Sequence, residues 1–167
     1  MIFLGIDPGY GRLGFGLIQV KANTLKQLAA GVIETPADKS DGERLLEIEA
    51  KLTTVIEPYG IDHCALEDVF IRKNLTTGVK LIQARGVILL TLARHNINAD
   101  SVTPTQIKKL ITGSGTSNKK QIQLMIMKLL NLRSLPKPDD AADGLGLALC
   151  AWMQHRNARI ASKVMQP

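Results

Sequence analysis

Aromatic side chains are scarce in this sequence, 4% of the chain, so its core must be built from aliphatic residues. Cysteine is also rare. Cys64 and Cys150 both lie in apolar surroundings and neither belongs to a CxxC pair. They read as reduced core thiols, not a disulfide or a zinc set, and a reducing cytoplasm suits them. No apolar run approaches the roughly 20 residues that a membrane helix needs. The opening MIFLGIDPG has no basic flank and meets an acid and a proline at once, unlike a signal peptide. His63, His95 and His155 are scattered and make no zinc-binding spacing. Neither a P-loop nor a GxSxG nucleophile elbow occurs. Internal repeats, low-complexity tracts and linkers are absent too, so the 167 residues fit one domain with a sizeable core.

Acids are missing from one long stretch. None occurs between Asp100 and Asp139, where Lys108, Lys109, Lys119, Lys120, Lys128, Arg133 and Lys137 lie. Up to Val102 the chain carries 11 basic and 12 acidic residues; from Thr103 onward it carries 10 and 3. The whole net charge of +6 therefore sits in the C-terminal part. That asymmetry points to a polyanion, nucleic acid before membrane, because no basic helix here has an aromatic apolar face.

What is present begins with FLGIDPGYGRLGFGLI. Residues Ile2–Ile6 and Leu13–Val20 read as a strand hairpin, and Leu25–Glu34 as a third strand with Gly31 as its weak point. Ser40-Asp41-Gly42-Glu43 is a capping-box pattern, and Leu45, Ile48, Leu52, Val55 and Ile56 follow at helical spacing until Pro58. A strand over Ile61–Glu67, a strongly apolar helix over Thr76–His95 and a strand over Ile97–Val102 come next. Short connections favour antiparallel pairing for the first three strands, and the alternation of strand and helix favours parallel pairing for the last two. The fold class is therefore α/β, a mixed five-stranded sheet flanked by helices. Beyond it, Pro104–Leu110 reads as a short helix and residues 113–118 as a loop of small polar residues. A helix then carries Ile122, Met125, Ile126, Leu129 and Leu130 on one face, and a last helix covers Asp140–His155.

Gly9 to Gly14 matches GxGxxG, the dinucleotide fingerprint, which requires a helix after the glycines. Here a strand-like FGLIQV follows, so a tight hairpin explains these glycines better. Four acids stand in unusual contexts: Asp7 ends the first strand, Glu67 ends HCALE, and Asp140 and Asp143 open the last helix one turn apart on a common face. Singly, each suits a cap or a solvated strand end. Should the two strands be neighbours and the last helix cross them, four carboxylates meet, and a hard divalent cation is the natural compensation. Two such ions are the equipment of in-line phosphodiester hydrolysis. Spacing alone leaves Asp68 open against Glu67, and Asp139 against Asp140.

GIDPGYGRLGFGLI, ALEDVFIRKN, LIQARGV, GSGTSNKKQIQ and DDAADGLGLAL, in this order and spacing, resemble the RuvC family of bacterial Holliday junction resolvases. The resemblance spans almost the whole chain up to about Arg156. It implies a ribonuclease-H-like nuclease domain over 1–156, with 157–167 a basic tail that need not be ordered. It further implies a homodimeric endodeoxyribonuclease using Mg²⁺ or Mn²⁺, two ions per site, to nick four-way junction DNA symmetrically beside the RuvA–RuvB branch-migration complex. Carried over by position, the catalytic and metal-binding acids are Asp7, Glu67, Asp140 and Asp143, although some relatives place His where Asp140 stands. Lys108 and Lys119 match basic residues that serve DNA binding and catalysis, with Lys109 and Lys120 beside them. Phe70, flanked by Arg72 and Lys73, matches an aromatic used against bases at the junction centre. Three alternatives remain: a branched-DNA-binding module without catalysis, a ribonuclease acting on RNA–DNA hybrids, and an actin-like ATPase, for which the chain is short.

Overall fold

The first strands are covered on both faces, their side chains alternating between two apolar layers. The computed structural model describes residues 1–22, 24–69 and 75–164. Strands β1 (Ile2–Asp7), β2 (Arg12–Lys21) and β3 (Thr24–Glu34) form an antiparallel meander. Helix α1 (Asp41–Ile56), strand β4 (His63–Glu67), helix α2 (Leu75–Arg94) and strand β5 (Ala99–Val102) follow. Because β4 runs parallel to β1 and β5 parallel to β4, the sheet order is β3-β2-β1-β4-β5. This is the mixed sheet that the sequence predicts. Three helices complete the chain: α3 (Pro104–Thr112), α4 (Lys119–Leu130) and α5 (Asp139–Val164).

Alternation splits the core in two. Leu4, Ile6, Leu17 and Leu66 face α1 and α2, where they meet Ile48, Leu52, Ile88 and Leu92. Phe3, Ile18 and Ala65 face the other way, onto Leu145 and Leu149 of α5, with Ile111 of α3 and Ile126 of α4 behind. Each fully buried aliphatic side chain contributes roughly 1.5–3 kcal/mol. Capping boxes start three of the helices, Ser40 with Glu43, Thr103 with Gln106 and Asn118 with Gln121. These carry backbone donors that would otherwise be unsatisfied.

Several boundaries differ from those read in the sequence. Strand β4 begins at His63, not Ile61, because Asp62 turns its carboxylate to accept from the Ile2 N–H at 2.7 Å. Strand β5 begins at Ala99 because Asn96, at φ 57°, ends α2 and the Ile97 N–H returns to the Leu92 carbonyl. Helix α5 runs past His155 to Val164. Its last turns lack acids and helix breakers, and the Arg156 guanidinium lies 5.5 Å from the centre of the Trp152 ring one turn back. Gly31 is not a weak point, since it pairs with Phe15, whose ring covers the space a Cβ would fill.

The glycines of the first hairpin serve more than a turn. Gly5 and Gly16 pair across β1 and β2, and α5 lies directly on them. A Cβ at Gly16 would come within 2.4 Å of the Leu145 nitrogen, and one at Gly144 within 2.3 Å of the Phe15 carbonyl carbon. Both are closer than real side chains approach, so backbone rests on backbone there. That seam brings the start of α5 down to the sheet edge.

Candidate active site

Side-chain parity decides which acids can meet. Along β1, Phe3, Gly5 and Asp7 point to the α5 side; along β4, His63, Ala65 and Glu67 do the same. The parallel register sets Ile6 beside Leu66, so Asp7 and Glu67 leave adjacent strands together. Asp68 points the other way. Its carboxylate lies 3.5 Å from Arg85 of α2, which also donates to the Glu67 carbonyl and to Ser101 Oγ. Thus Glu67, and not Asp68, is the acid on this side.

Helix α5 delivers the other two. Glu67, Asp143 and Asp140 all act electrostatically on Asp7, which shares a hydrogen bond with Glu67. Burial first, then the neighbouring acids, push Asp7 from 3.8 up to about 8. Burial likewise raises Glu67, with the Asp143 charge adding to it. Asp143 is raised by burial, while Lys119 pulls it back. The shared hydrogen bond and close charges keep a proton on the Asp7–Glu67 pair.

Cations flank the acids on both sides. Arg12, on the α5 side of β2 two residues before Gly14, donates from Nε and Nη2 to Asp140 Oδ2 at 3.1 and 2.9 Å. Its Nη1 lies 3.4 Å from Glu34. From α4, Lys119 Nζ lies 3.0 Å from Asp139 and 3.6 Å from Asp143. Asp139 is largely exposed and faces Lys119, away from the Arg12 side where Asp140 sits. A cleft of about 210 Å³ opens beside Glu67 and Asp143, with Lys108 and Lys119 in its wall. The loop after Asp7 is tied down: the Tyr10 hydroxyl donates to Asp41 at 2.5 Å, Thr35 Oγ1 donates to the Tyr10 carbonyl, and Arg44 covers the ring at 4.2 Å.

Donor chemistry can therefore be tested against a metal. Four carboxylates with no imidazole or thiolate among them suit Mg²⁺ or Mn²⁺. Among the described residues, though, no three such side chains are drawn together as a finished cage. Their present partners are each other for Asp7 and Glu67, Arg12 for Asp140 and Lys119 for Asp143. The residues fit the ions in kind, and a cation entering would displace those partners.

Of the basic residues expected to touch DNA, Lys108 and Lys119 stand at the cleft. Lys120 is exposed on the first turn of α4. Lys109 lines a different hollow, with Trp152 and Arg156, because neighbouring helical residues point about 100° apart. Phe70, Arg72 and Lys73 lie outside the described residues. Arg12 and the glycine seam are what sequence reasoning missed. Parity could have found the arginine, since Arg12, Gly14 and Gly16 alternate on the side opposite Leu13 and Leu17.

Comparison with known proteins follows the same lines. Residues 3–151 match the family model "Crossover junction endodeoxyribonuclease RuvC". A protein of that name from Thermotoga petrophila is 43% identical over 160 residues, covering 96% of this chain and 97% of its own. One from Heliobacterium modesticaldum is 44% identical over 150 residues, covering 90% and 93%. The structure of Thermus thermophilus RuvC superposes with a TM-score of 0.88 at 27% identity over 95% of this chain and 97% of its own. The same protein in complex with a Holliday junction substrate gives 0.89 at 28% identity, over 95% and 96%. Fold, family model and matched length agree: this chain belongs to the RuvC family of crossover junction endodeoxyribonucleases.

Proposed function

We propose that this protein resolves four-way DNA junctions by metal-dependent hydrolysis of opposing phosphodiester bonds. What supports the reading is that Glu67, Asp143 and Asp140 all act electrostatically on Asp7, in a chain matched along residues 3–151 by this family. Nucleases of the family are metal-dependent in general. When bound, two Mg²⁺ or Mn²⁺ ions supply charge neutralisation at the scissile phosphate and activation of the attacking water.

The chain's own residues do the rest. Asp7 is central because it feels all three other acids, and the Tyr10–Asp41–Thr35 contacts hold its loop in place. Glu67 and Asp143 border the cleft that a phosphate enters, and Lys108 and Lys119 give that cleft its positive wall. Lys119 also keeps Asp143 oriented at the mouth. Together they place negative ligands on the sheet side and positive phosphate contacts on the α3–α4 side.

Symmetric nicking needs two copies. Along α2, Val79, Ile82, Leu89 and Leu90 remain 41–52% exposed, an apolar stripe that suits a two-fold contact between identical helices. A homodimer then sets two equivalent sites on equivalent strands. Work beside RuvA–RuvB, and a cytoplasmic location suited to the two buried free thiols, belong to the same reading. Among the described residues no helix is long and apolar enough to cross a membrane.

The test incubates purified protein with a synthetic four-way junction, a matched linear duplex or an RNA–DNA hybrid, each with Mg²⁺ or EDTA. Paired nicks in the junction alone, dependent on metal, are expected. Equal cutting of the hybrid would move the assignment to a ribonuclease, and tight junction binding without nicks would leave a binding module. Junction affinity should fall with salt at a slope of about −0.9 per B-DNA phosphate contacted.

A further inference from the structure

The far half of α5 has its own chemistry. Two hollows of about 530 and 410 Å³ meet there, sharing Trp152 and Arg156. The first lies among α3, α4 and α5, with Leu110, Leu129 and Met153 giving it an apolar floor. The second continues across Phe3 and Val20 at the sheet edge to Ile160, which is half-exposed. Lys109, Arg156 and Arg159 are the basic side chains lining the two, and no acid lines either. From Gly144 to the last described residue, Val164, the sequence contains no Asp or Glu. We propose that this groove docks an acidic, amphipathic segment of another protein.

Charge complementarity and the floor together select that occupant. A cationic rim over an apolar floor is matched by a segment that carries carboxylates beside aliphatic or aromatic anchors. Nucleic acid would satisfy the cations but not the floor. Trp152 is only 9% exposed, so its ring offers no open face on which a base could stack. The groove is also separate from the acids. Arg156 lies thirteen residues beyond Asp143 on a continuous helix, about 20 Å along its axis. Lys108 faces the acid cleft while Lys109 faces this groove, so a partner seated here leaves the cleft open. The inference does not depend on the nuclease reading.

Trp152 is the chain's single tryptophan, and its emission reports the groove directly. The full chain is titrated with a synthetic helical peptide whose one face is leucine and whose other face is glutamate. Two control peptides replace the glutamates by lysine or the leucines by serine. The expected result is a saturable change in Trp152 emission, with both controls at least about tenfold weaker. Arg156→Glu and Arg159→Glu, both exposed positions, should each weaken the peptide about tenfold while junction affinity and nicking stay near wild type. Melting curves check that both variants fold. No saturable change with the acidic peptide would overturn the proposal, as would equal binding of the lysine peptide. Arg156→Glu weakening the junction as much as the peptide would instead make the groove a nucleic-acid surface, and also overturn it.

Discussion

The same three elements build two half-buried clusters of opposite character. At one end of β1, β4 and α5 stand Asp7, Glu67 and Asp143; at the other stand Phe3, His63 and His155. Four residues separate the two ends on each strand, about 13 Å. Both clusters place ionisable groups against a packed sheet, yet they resolve that burden differently. The histidine rings pack against each other and an aromatic: His63 lies 4.2 Å from His155 at a tilt and stacks on Phe3 at 5.7 Å between ring centres. Burial, then His63 and Arg159, lower His155 below its usual range. The acids have no such exit, because burial and then neighbouring acids raise Asp7, and burial with the Asp143 charge raises Glu67 against the hydrogen bond from Asp7. One end is a finished contact. The other is a site still short of positive charge.

The most severe way to break the comparison is Asp7→Asn. Nicking should drop at least about a thousandfold, ~4 kcal/mol of transition-state stabilisation, with junction affinity retained. In the same variant, metal-free melting should rise by about 2–6 °C, because a repelled buried acid has become a neutral amide. Added Mg²⁺ should then stabilise the variant less than wild type. If Asp7→Asn lowered the metal-free melting point with an intact fold, the acid would be a structural cap and not a strained ligand.

Next in size is the seam that joins the two ends. Gly144→Ala places a Cβ about where Phe15 backbone already lies, and overpacking of this kind costs roughly 1–3 kcal/mol. Melting should fall by several degrees, and nicking should fall with it, because α5 must lift and carry Asp140 and Asp143 away from Asp7. Gly42→Ala, where nothing lies within 4 Å, is the matched control and should change little. Similar losses in both variants would mean that glycine matters through chain entropy, not close approach.

These glycines mark where sequence reasoning ran out. The succession of elements and the mixed sheet were legible because alternation, short connections and capping boxes are local signals. The meeting of Asp7 with Glu67 was conditional, because which strand lies beside β1 carries no local signal. Gly14 and Gly16 looked like hairpin residues because their real reason, the α5 backbone, lies far away in sequence. Arg12 was passed over for a related cause: its partner Asp140 is 128 residues away, and a lone arginine at a strand start carries no local mark. The end of α5 was set too early because Arg156 and later residues pack on the surface and leave little periodic signal.

A smaller effect, and one that sharpens the contrast, is the pH dependence of metal-free stability. Asp7 binds its proton more tightly folded, with a value of about 8 against 3.8, so between those limits the folded chain holds more protons than the unfolded one. Its contribution is therefore present at low pH and lost as pH rises toward about 8. Melting without metal should decline across that window. Saturating Mg²⁺, which takes the ionised form, should flatten or reverse the decline. Glu43 and Asp41, held low by Ser40 and Tyr10, act in the opposite sense and at lower pH. An unchanged slope in Asp7→Asn would assign the titration to another group.

The histidine end should give the weakest effect, and of opposite sign. His155 is lowered, so the unfolded chain binds the proton first; stability contributed by the neutral ring is present above the usual histidine value near 6.5 and lost as pH falls below it. Geometry supports the direction, since His155 Nε2 finds no hydrogen-bond partner among the described residues and a proton there would add a buried donor with nothing to accept it. Asp62 opposes the shift only as the last of the named contributions. His155→Phe keeps a ring against Phe3 and His63 and removes the titration, so melting of this variant should lose its decline on acidification below about 6.5 while its nicking rate stays close to wild type. If acidification instead destabilised both chains equally, the histidine pair would be bystanders, and the acid cluster alone would govern how this fold responds to protons.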